Sequence, residues 1–194
     1  ARLGGDPDCS SALGERYVKL NANAIKRHLV TCGEYLEYLK ALWRFNPQLA
    51  KQRAPRDLAY HIRLWPLDEA RGFSLPSPNK VMSWHPTWPV FGISLEDARA
   101  FCVWESERLG TYVRLPTEDE WEKAARGADQ RVYPWGDRFD PTLCHTAESP
   151  CGGAPVSVGV TLGDLSPYEV CDMAGLLQEY TDSAWSRESP MRVL

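Results

Sequence analysis

Cysteine, histidine and carboxylate side chains are the residues of this sequence that could hold a metal ion or take part in catalysis. The densest group joins Cys144, His145, Glu148 and Cys151 within one short segment. Structural zinc sites use these residue types, but their ligands recur at characteristic spacings such as CxxC pairs. The spacing here matches no such pattern, so we interpret the segment as a loop with incidental thiols.

The other candidates for acid–base or metal chemistry are dispersed along the chain. The four histidines are His28, His61, His85 and His145, and no HExxH motif is present. The acids of residues 118–120 lie at the start of a predicted helix, where negative charge interacts favourably with the helix dipole. We therefore assign them to helix capping and predict no catalytic residue in the chain.

Aromatic residues in two loops are the candidates for ligand binding. One loop contains Trp84, His85 and Trp88, and the other contains Tyr180, Trp185 and Arg187. Exposed aromatic and arginine side chains often anchor a bound partner. For residues 84–88 two interpretations stay open, because the rings could either line a binding groove or pack against the core.

Composition limits the class of protein. A chain of 194 residues with 43% hydrophobic and 25% charged residues suits one compact domain. A net charge of −4 gives no basic stripe for nucleic acid, and no apolar run approaches the roughly 20 residues of a membrane helix. The six cysteines are scattered, which favours free thiols in a reducing compartment such as the cytoplasm over a secreted disulfide framework.

Three helices are predicted from capping signals and apolar spacing. The first begins at Thr31 and ends at Asn46-Pro47, the second covers about 95–109, and the third covers 118–126. Each begins with a capping box, in which a hydroxyl and an acid three residues later satisfy the first backbone N–H groups. Extended segments are predicted at 17–20, 24–29, 61–65 and 156–160. Helices mixed with short strands and long loops predict an α+β fold.

Five segments, which together span most of the chain, resemble those of the formylglycine-generating enzyme, or sulfatase-modifying factor, family. They are 30–39, 89–104, 114–127, 133–137 and 168–175. The run RLPTEDEWEKAARG at 114–127 is nearly identical to the most characteristic segment of that family. The resemblance implies one C-type-lectin-like domain over 1–194, with few helices, short antiparallel strands and long loops.

The family contains proteins with different activities. It includes copper-dependent oxidases that convert a sulfatase cysteine to formylglycine, and iron-dependent enzymes that form sulfoxides. It also includes non-catalytic domains attached to bacterial Ser/Thr kinases, and variable proteins diversified by retroelements. The segments 3–7 and 84–104 resemble the kinase-attached domains most closely.

One departure from the family concerns its calcium-binding turn. Enzymes of the family carry an Asn where this chain has Leu176, and the turn there supplies oxygen ligands to a calcium ion. Glu179 retains a carboxylate, but calcium needs six to eight oxygen ligands. Calcium binding at Glu179 is therefore a weakened expectation, and the alternative is a carboxylate that caps a loop or pairs with arginine.

A second departure concerns the segment that carries the two catalytic cysteines in the oxidases. None of the six cysteines of this chain aligns with them, so we expect the chain to lack the C-terminal segment of the family. The sequence predicts a non-catalytic module that binds a protein or a small molecule. The alternative is a metal-dependent oxidase or oxygenase whose catalytic tail lies outside this sequence.

Overall fold

A computed structural model describes residues 1–5, 14–77, 84–150, 152 and 155–183. The chain divides into two compact units. The terminal unit comprises Ala1–His28, Pro116–Pro155 and Gly159–Leu194, and the central unit comprises Leu29–Leu115 and Val156–Val158. The prediction of one domain over 1–194 stays a prediction.

The three helices expected from the sequence are confirmed. They are α1 (Cys32–Phe45), α3 (Leu95–Leu109) and α4 (Glu118–Arg126), and each begins with the expected capping box. In α1, the hydroxyl of Thr31 accepts from the backbone N–H of Glu34, whose carboxylate accepts from the backbone N–H of Thr31. Gly110 ends α3 in the left-handed region, with φ of 64°, where a residue without Cβ is not strained.

A fourth helix, α2 (Pro47–Arg53), was not predicted. On the sequence alone, Asn46-Pro47 is interpreted only as the end of the first helix, whereas in the structure a helix also begins at Pro47. Asn46 ends α1 and also begins α2, because its side-chain oxygen accepts from the backbone N–H of Leu49 at 3.0 Å. Proline is favoured at the first helical position, where its missing N–H has no partner to lose.

The strands of the described residues form two short antiparallel pairs. β1 (Arg2–Leu3) pairs with β2 (Arg16–Tyr17), and β3 (Leu67–Asp68) pairs with β4 (Gly72–Phe73). The strand predicted at 17–20 therefore shares only Tyr17 with β2, and residues 24–29 and 156–160 form no strand. In the predicted extended segment 61–65, Arg63 forms a single bridge with Arg56. The mixture of helices and short antiparallel strands confirms the α+β class.

Aromatic side chains fill the core of the central unit. The rings of Tyr35 and Phe101 stack with centroids 5.7 Å apart, and Tyr38 meets Phe101 edge-on at 5.8 Å. Trp65 is 1% exposed and lies edge-on to Tyr35. These pairs join α1 to α3 and to the segment before β3.

The terminal unit has a smaller apolar core and more buried charge. Its apolar cluster consists of Ala124, Ala125, Val170 and Met173. Beside it, the buried carboxylate of Glu122 on α4 accepts from the backbone N–H of Gly4 at 2.6 Å and from Arg126 at 2.8 Å. Among the described residues, no helix has both the length and the apolar surface needed to cross a membrane.

Candidate functional site

The predicted recognition loop of the central unit, residues 84–88, is anchored by Trp84. This tryptophan is 4% exposed, and it stacks on Phe91 with ring centroids 4.0 Å apart. It also meets Trp65 edge-on at 5.6 Å. The sequence left two interpretations open for this loop. For Trp84 the structure agrees with packing against the core.

The backbone of the loop caps the N-terminus of α1. The carbonyl of Trp88 accepts from the N–H of Cys32 at 2.7 Å, and the carbonyl of Pro86 accepts from the N–H of Gly33 at 2.8 Å. The first N–H groups of a helix lack partners within the helix, so these contacts satisfy two of them. A Cβ at position 33 would lie 3.1 Å from the Pro86 carbonyl, which explains why a glycine permits this approach.

A polar edge faces solvent on the same loop. The hydroxyl of Thr87 lies 2.7 Å from Nδ1 of His85 and 2.6 Å from the hydroxyl of Ser157. The backbone N–H of Thr87 also lies 3.4 Å from Nδ1 of His85. The edge therefore presents one imidazole and two hydroxyl groups within hydrogen-bond distance of one another.

The remaining predicted ligand-binding residues have different positions. Trp88 is half-buried in the central unit, and Tyr180 of the terminal unit is 40% exposed. Trp185 and Arg187 lie outside the described residues. Binding by these residues and by His85 stays a prediction.

The predicted calcium turn lies in the terminal unit. Glu179 is an exposed residue, and one of its carboxylate oxygens accepts from the indole N–H of Trp121 at 3.0 Å. Although the residue as a whole is exposed, protein atoms surround its carboxyl group, and this desolvation raises its pKa to about 7, while the hydrogen bond from Trp121 lowers it. The partner of Glu179 is thus the indole of Trp121, which is neither of the two alternatives predicted from the sequence.

The turn around Glu179 offers few side-chain oxygen atoms. Leu176 has a hydrocarbon side chain, and it adopts a left-handed φ of 70°. Across the described residues, no group of three His, Cys, Asp or Glu side chains is placed to hold a metal ion. Calcium also binds backbone carbonyls and water, so calcium binding at Glu179 stays a prediction.

Two buried aspartates in the terminal unit were missed by the sequence interpretation. Asp164 is 1% exposed, and it accepts from the backbone N–H groups of Met173 and Ala174 at 2.9–3.1 Å. Asp172 is 3% exposed and accepts from the N–H of Gly159 at 2.6 Å. Burial raises the pKa of Asp164 to about 6, and burial also raises the pKa of Asp172. These residues lie in a turn-rich segment without periodicity, which left no signal of their burial.

The described cysteines are buried, and two of them have shifted acidities. Burial raises the pKa of Cys32 to about 12, and its thiol donates to the carbonyl of Pro89. Burial also raises the pKa of Cys144, which belonged to the zinc-like segment. Cys151 of that segment lies outside the described residues. Both shifts favour the protonated thiol, which is a poor nucleophile.

Comparison with known proteins places this geometry in a family context. A family model described as a sulfatase-modifying factor enzyme 1-like domain matches residues 4–193. The chain is 29% identical over 227 residues to a formylglycine-generating enzyme of Thermomonospora curvata, with 96% of this chain and 69% of that protein covered.

Two further relatives differ in what their names state. A Bos taurus protein named inactive C-alpha-formylglycine-generating enzyme 2 is 35% identical over 120 residues, which cover 55% of this chain and 37% of that protein. An uncharacterized Bacillus subtilis protein, YfmG, is 34% identical over 117 residues, which cover 49% and 23%. The chain thus spans between about a quarter and about two thirds of the length of these three relatives.

Proposed function

The chain belongs to the sulfatase-modifying factor enzyme 1-like family, and from that premise we propose that it is a non-catalytic module that binds a protein or a small-molecule ligand. The recognition loop at residues 84–88 is the observation that carries the proposal. Its backbone is fixed on α1 by two short hydrogen bonds, while His85 and Thr87 stay exposed. A loop that is ordered before binding loses less conformational entropy on binding.

The state of the cysteines supports the non-catalytic part of the proposal. A thiol-ligated copper site needs two thiolates that converge on one ion. Cys32 is 0% exposed in the aromatic core and Cys144 is 2% exposed, and burial favours the neutral thiol of each. Neither cysteine is suited to that role.

The names of the relatives include both an inactive protein and an enzyme, so they are compatible with the proposal but leave its alternative to be tested. The bovine protein is named inactive, so the family contains members without the named activity. The Thermomonospora relative is named as a formylglycine-generating enzyme and aligns with nearly the whole of this chain. An oxidase activity of the full-length protein is therefore the alternative that an experiment must exclude.

We further infer that the chain has the C-type-lectin-like fold and belongs to a bacterial cytoplasmic protein. Few helices, two-residue antiparallel strands and long loops support the fold. The scattered cysteines support the compartment, and the resemblance of segments 3–7 and 84–104 to kinase-attached domains supports attachment to a Ser/Thr kinase over a variable protein.

An activity assay tests the non-catalytic part. The full-length protein is incubated with Cu(I), oxygen and a sulfatase-derived cysteine peptide, and the peptide is followed by mass spectrometry. We expect the cysteine to persist. Formylglycine that accumulates in proportion to the protein, and that a copper chelator abolishes, would establish the oxidase instead.

Site-specific photo-crosslinking tests the binding part. A photoreactive phenylalanine analogue replaces His85 in one variant and Tyr112 in the control, since Tyr112 is 82% exposed in the same unit. We expect adducts from position 85 that position 112 does not form. Identical adducts from both positions, or none from position 85, would count against recognition by this loop.

A further inference from the structure

The backbone of the recognition loop is fixed from two sides. On one side, the carbonyls of Pro86 and Trp88 accept from the first N–H groups of α1. On the other side, the carbonyl of Thr87 accepts from the backbone N–H of Val158 at 3.0 Å. These bonds hold the main chain of the loop, and they leave the side chains of His85 and Thr87 to be held by other contacts.

A hydroxyl from a distant part of the chain holds these two side chains. Ser157 is 70 residues from Thr87 in sequence, and its Oγ lies 2.6 Å from Oγ1 of Thr87. The same hydroxyl of Thr87 lies 2.7 Å from Nδ1 of His85. The three residues therefore form a chain of two short hydrogen bonds, with Thr87 in the middle.

This chain of hydrogen bonds holds the imidazole whichever way the protons are donated. A hydroxyl has one proton to donate and two lone pairs that accept. Thr87 can donate to the imidazole while it accepts from Ser157, or it can accept from the imidazole while it donates to Ser157. Hydrogen bonds in such chains strengthen one another, so loss of the Ser157 hydroxyl weakens the contact between Thr87 and His85.

The contacts of the imidazole show which atom is left for a ligand. Among the described residues, the ring of His85 is hydrogen-bonded to Thr87 alone, through the hydroxyl and, at 3.4 Å, through the backbone N–H. Both contacts are made to Nδ1, so Nε2 is available to a ligand. A side chain that is held before binding loses less rotamer freedom when it binds.

We propose that Ser157 is a positioning residue of the recognition loop, whose hydroxyl holds Thr87 and, through Thr87, keeps the His85 ring in the orientation in which it binds a ligand. The inference rests on the proposed function, because it concerns the loop to which that function assigns binding. Ser157 itself need not contact the ligand.

Side-chain dynamics of the full-length protein test the contact without a ligand. The methyl group of Thr87 and the ring of His85 are followed by NMR relaxation in wild type, S157A and S157T. We expect lower order parameters for both side chains in S157A, because the hydroxyl that holds Thr87 is lost. S157T retains a hydroxyl and should restore them. A role in folding stability alone would change Tm without changing the order of these two side chains.

Two further variants show whether the effect passes through Thr87. T87V keeps the shape of Thr87 without its hydroxyl, and it should lower the order of the His85 ring at least as much as S157A does. Because both substitutions interrupt the same chain, the double variant S157A/T87V should add no further loss. S74A is the matched control, since Ser74 is an exposed serine of the same unit, and it should leave both side chains as ordered as in wild type.

Photo-crosslinking from the neighbouring position measures the consequence for binding. A photoreactive phenylalanine analogue replaces Pro86, which is exposed and caps α1 through its backbone carbonyl, so that His85, Thr87 and Ser157 all stay in place. We expect the yield of adducts to be roughly two- to tenfold lower in S157A than in the otherwise wild-type protein. S157T should restore the yield, and S74A should not change it.

The outcomes separate this inference from the proposed function. Equal order of the His85 ring in wild type and S157A, equal losses in S157A and S74A, or equal adduct yields with and without the Ser157 hydroxyl would overturn the positioning role. In each of these cases, adducts from the loop would still support the proposed function. Absence of adducts from both positions 85 and 86 would instead overturn recognition by the loop, whatever the relaxation data show for Ser157.

Discussion

The central and terminal units differ in what stabilises their interiors. The central unit relies on large rings in contact, such as Tyr35, Phe101 and Trp65. The terminal unit buries mostly small apolar groups, and places carboxylates such as Glu122 and Asp164 beside them. Burial of phenylalanine and tryptophan rings involves no proton binding, whereas buried carboxylates couple stability to proton binding.

The difference is clearest in the partners of one buried aspartate from each unit. Asp97 of the central unit is 0% exposed and is paired with Arg53 at 3.0 Å and Arg56 at 2.8 Å. Asp164 of the terminal unit is buried to a similar degree, forms no ion pair with a described lysine or arginine, and accepts from the backbone N–H groups of Met173 and Ala174. Because burial raises the pKa of Asp164 to about 6, we expect the stability of the terminal unit to respond to pH.

The largest effect is expected from removal of a ring in the central unit. F101A should lower the free energy of unfolding by about 3–5 kcal/mol, because it leaves a cavity among Tyr35, Tyr38 and Trp104. Native-state hydrogen exchange of α1 measures the loss. The control Y112A changes a side chain that is 82% exposed and should stay within about 0.5 kcal/mol of wild type.

Loss of a buried charge in the terminal unit is expected to have the next largest effect. E122Q keeps the shape of Glu122 but weakens its contacts with Gly4 and Arg126, and it should destabilise the unit by about 2 kcal/mol. Hydrogen exchange of α4 reports the change. E148Q, at an exposed position of the same unit, should have no measurable effect, and equal losses in both variants would refute the assignment.

Asp164 is expected to contribute to the pH response of the terminal unit. Its pKa is about 6 in the folded chain, above the ordinary 3.8, so the folded state binds more protons than the unfolded state between these values. Stability should therefore fall as pH rises from about 5 to 7, by on the order of 1–2 kcal/mol. D164N should flatten this slope in denaturant titrations.

A matched variant isolates the cause of that slope. Asp129 has a pKa lowered to about 2 by its hydrogen bond with Arg131, so it is ionised in both states between pH 5 and 7. D129N should therefore leave the slope unchanged. A slope that persists in D164N would assign the remaining pH response to Glu179, whose pKa is raised to about 7, or to Asp172, whose pKa is also raised.

A smaller effect is expected at Leu176. Its φ of 70° is a conformation that leucine rarely adopts and that asparagine tolerates better. L176N should therefore raise the free energy of unfolding by about 0.5 kcal/mol, seen as a small increase in Tm. L177N, one residue along and without a left-handed φ, should not raise Tm.

No effect is expected from calcium. Because Leu176 provides no oxygen and Glu179 is bonded to Trp121, millimolar calcium should leave the Tm of the wild-type protein unchanged at constant ionic strength. An increase in Tm with calcium that magnesium does not reproduce would show that the turn binds the ion.

The helices were predictable because their signals are local. Thr31 and Glu34 are three residues apart, and one turn of chain is enough to make them partners. Helix α2 was missed because Asn46-Pro47 was interpreted only as a stop, although the same pair is also a good helix start. The strands are two residues long, which is too short for alternation of side chains to be visible.

It was less predictable which side chains are buried and which distant groups come together, because both depend on contacts between distant segments. The sequence shows that Trp84 is aromatic, but only its stacking on Phe91 shows that it faces the core. Asp164 becomes a buried acid through backbone N–H groups nine and ten residues later.

The capping of α1 by the recognition loop has a consequence for sequence variation. The groups that accept from Cys32 and Gly33 are main-chain carbonyls of Trp88 and Pro86, which every amino acid possesses. The exposed side chains of His85 and Thr87 contribute nothing to those two bonds. Both positions can therefore be exchanged for other residues while the helix stays capped, so the loop can acquire new binding preferences without loss of its framework.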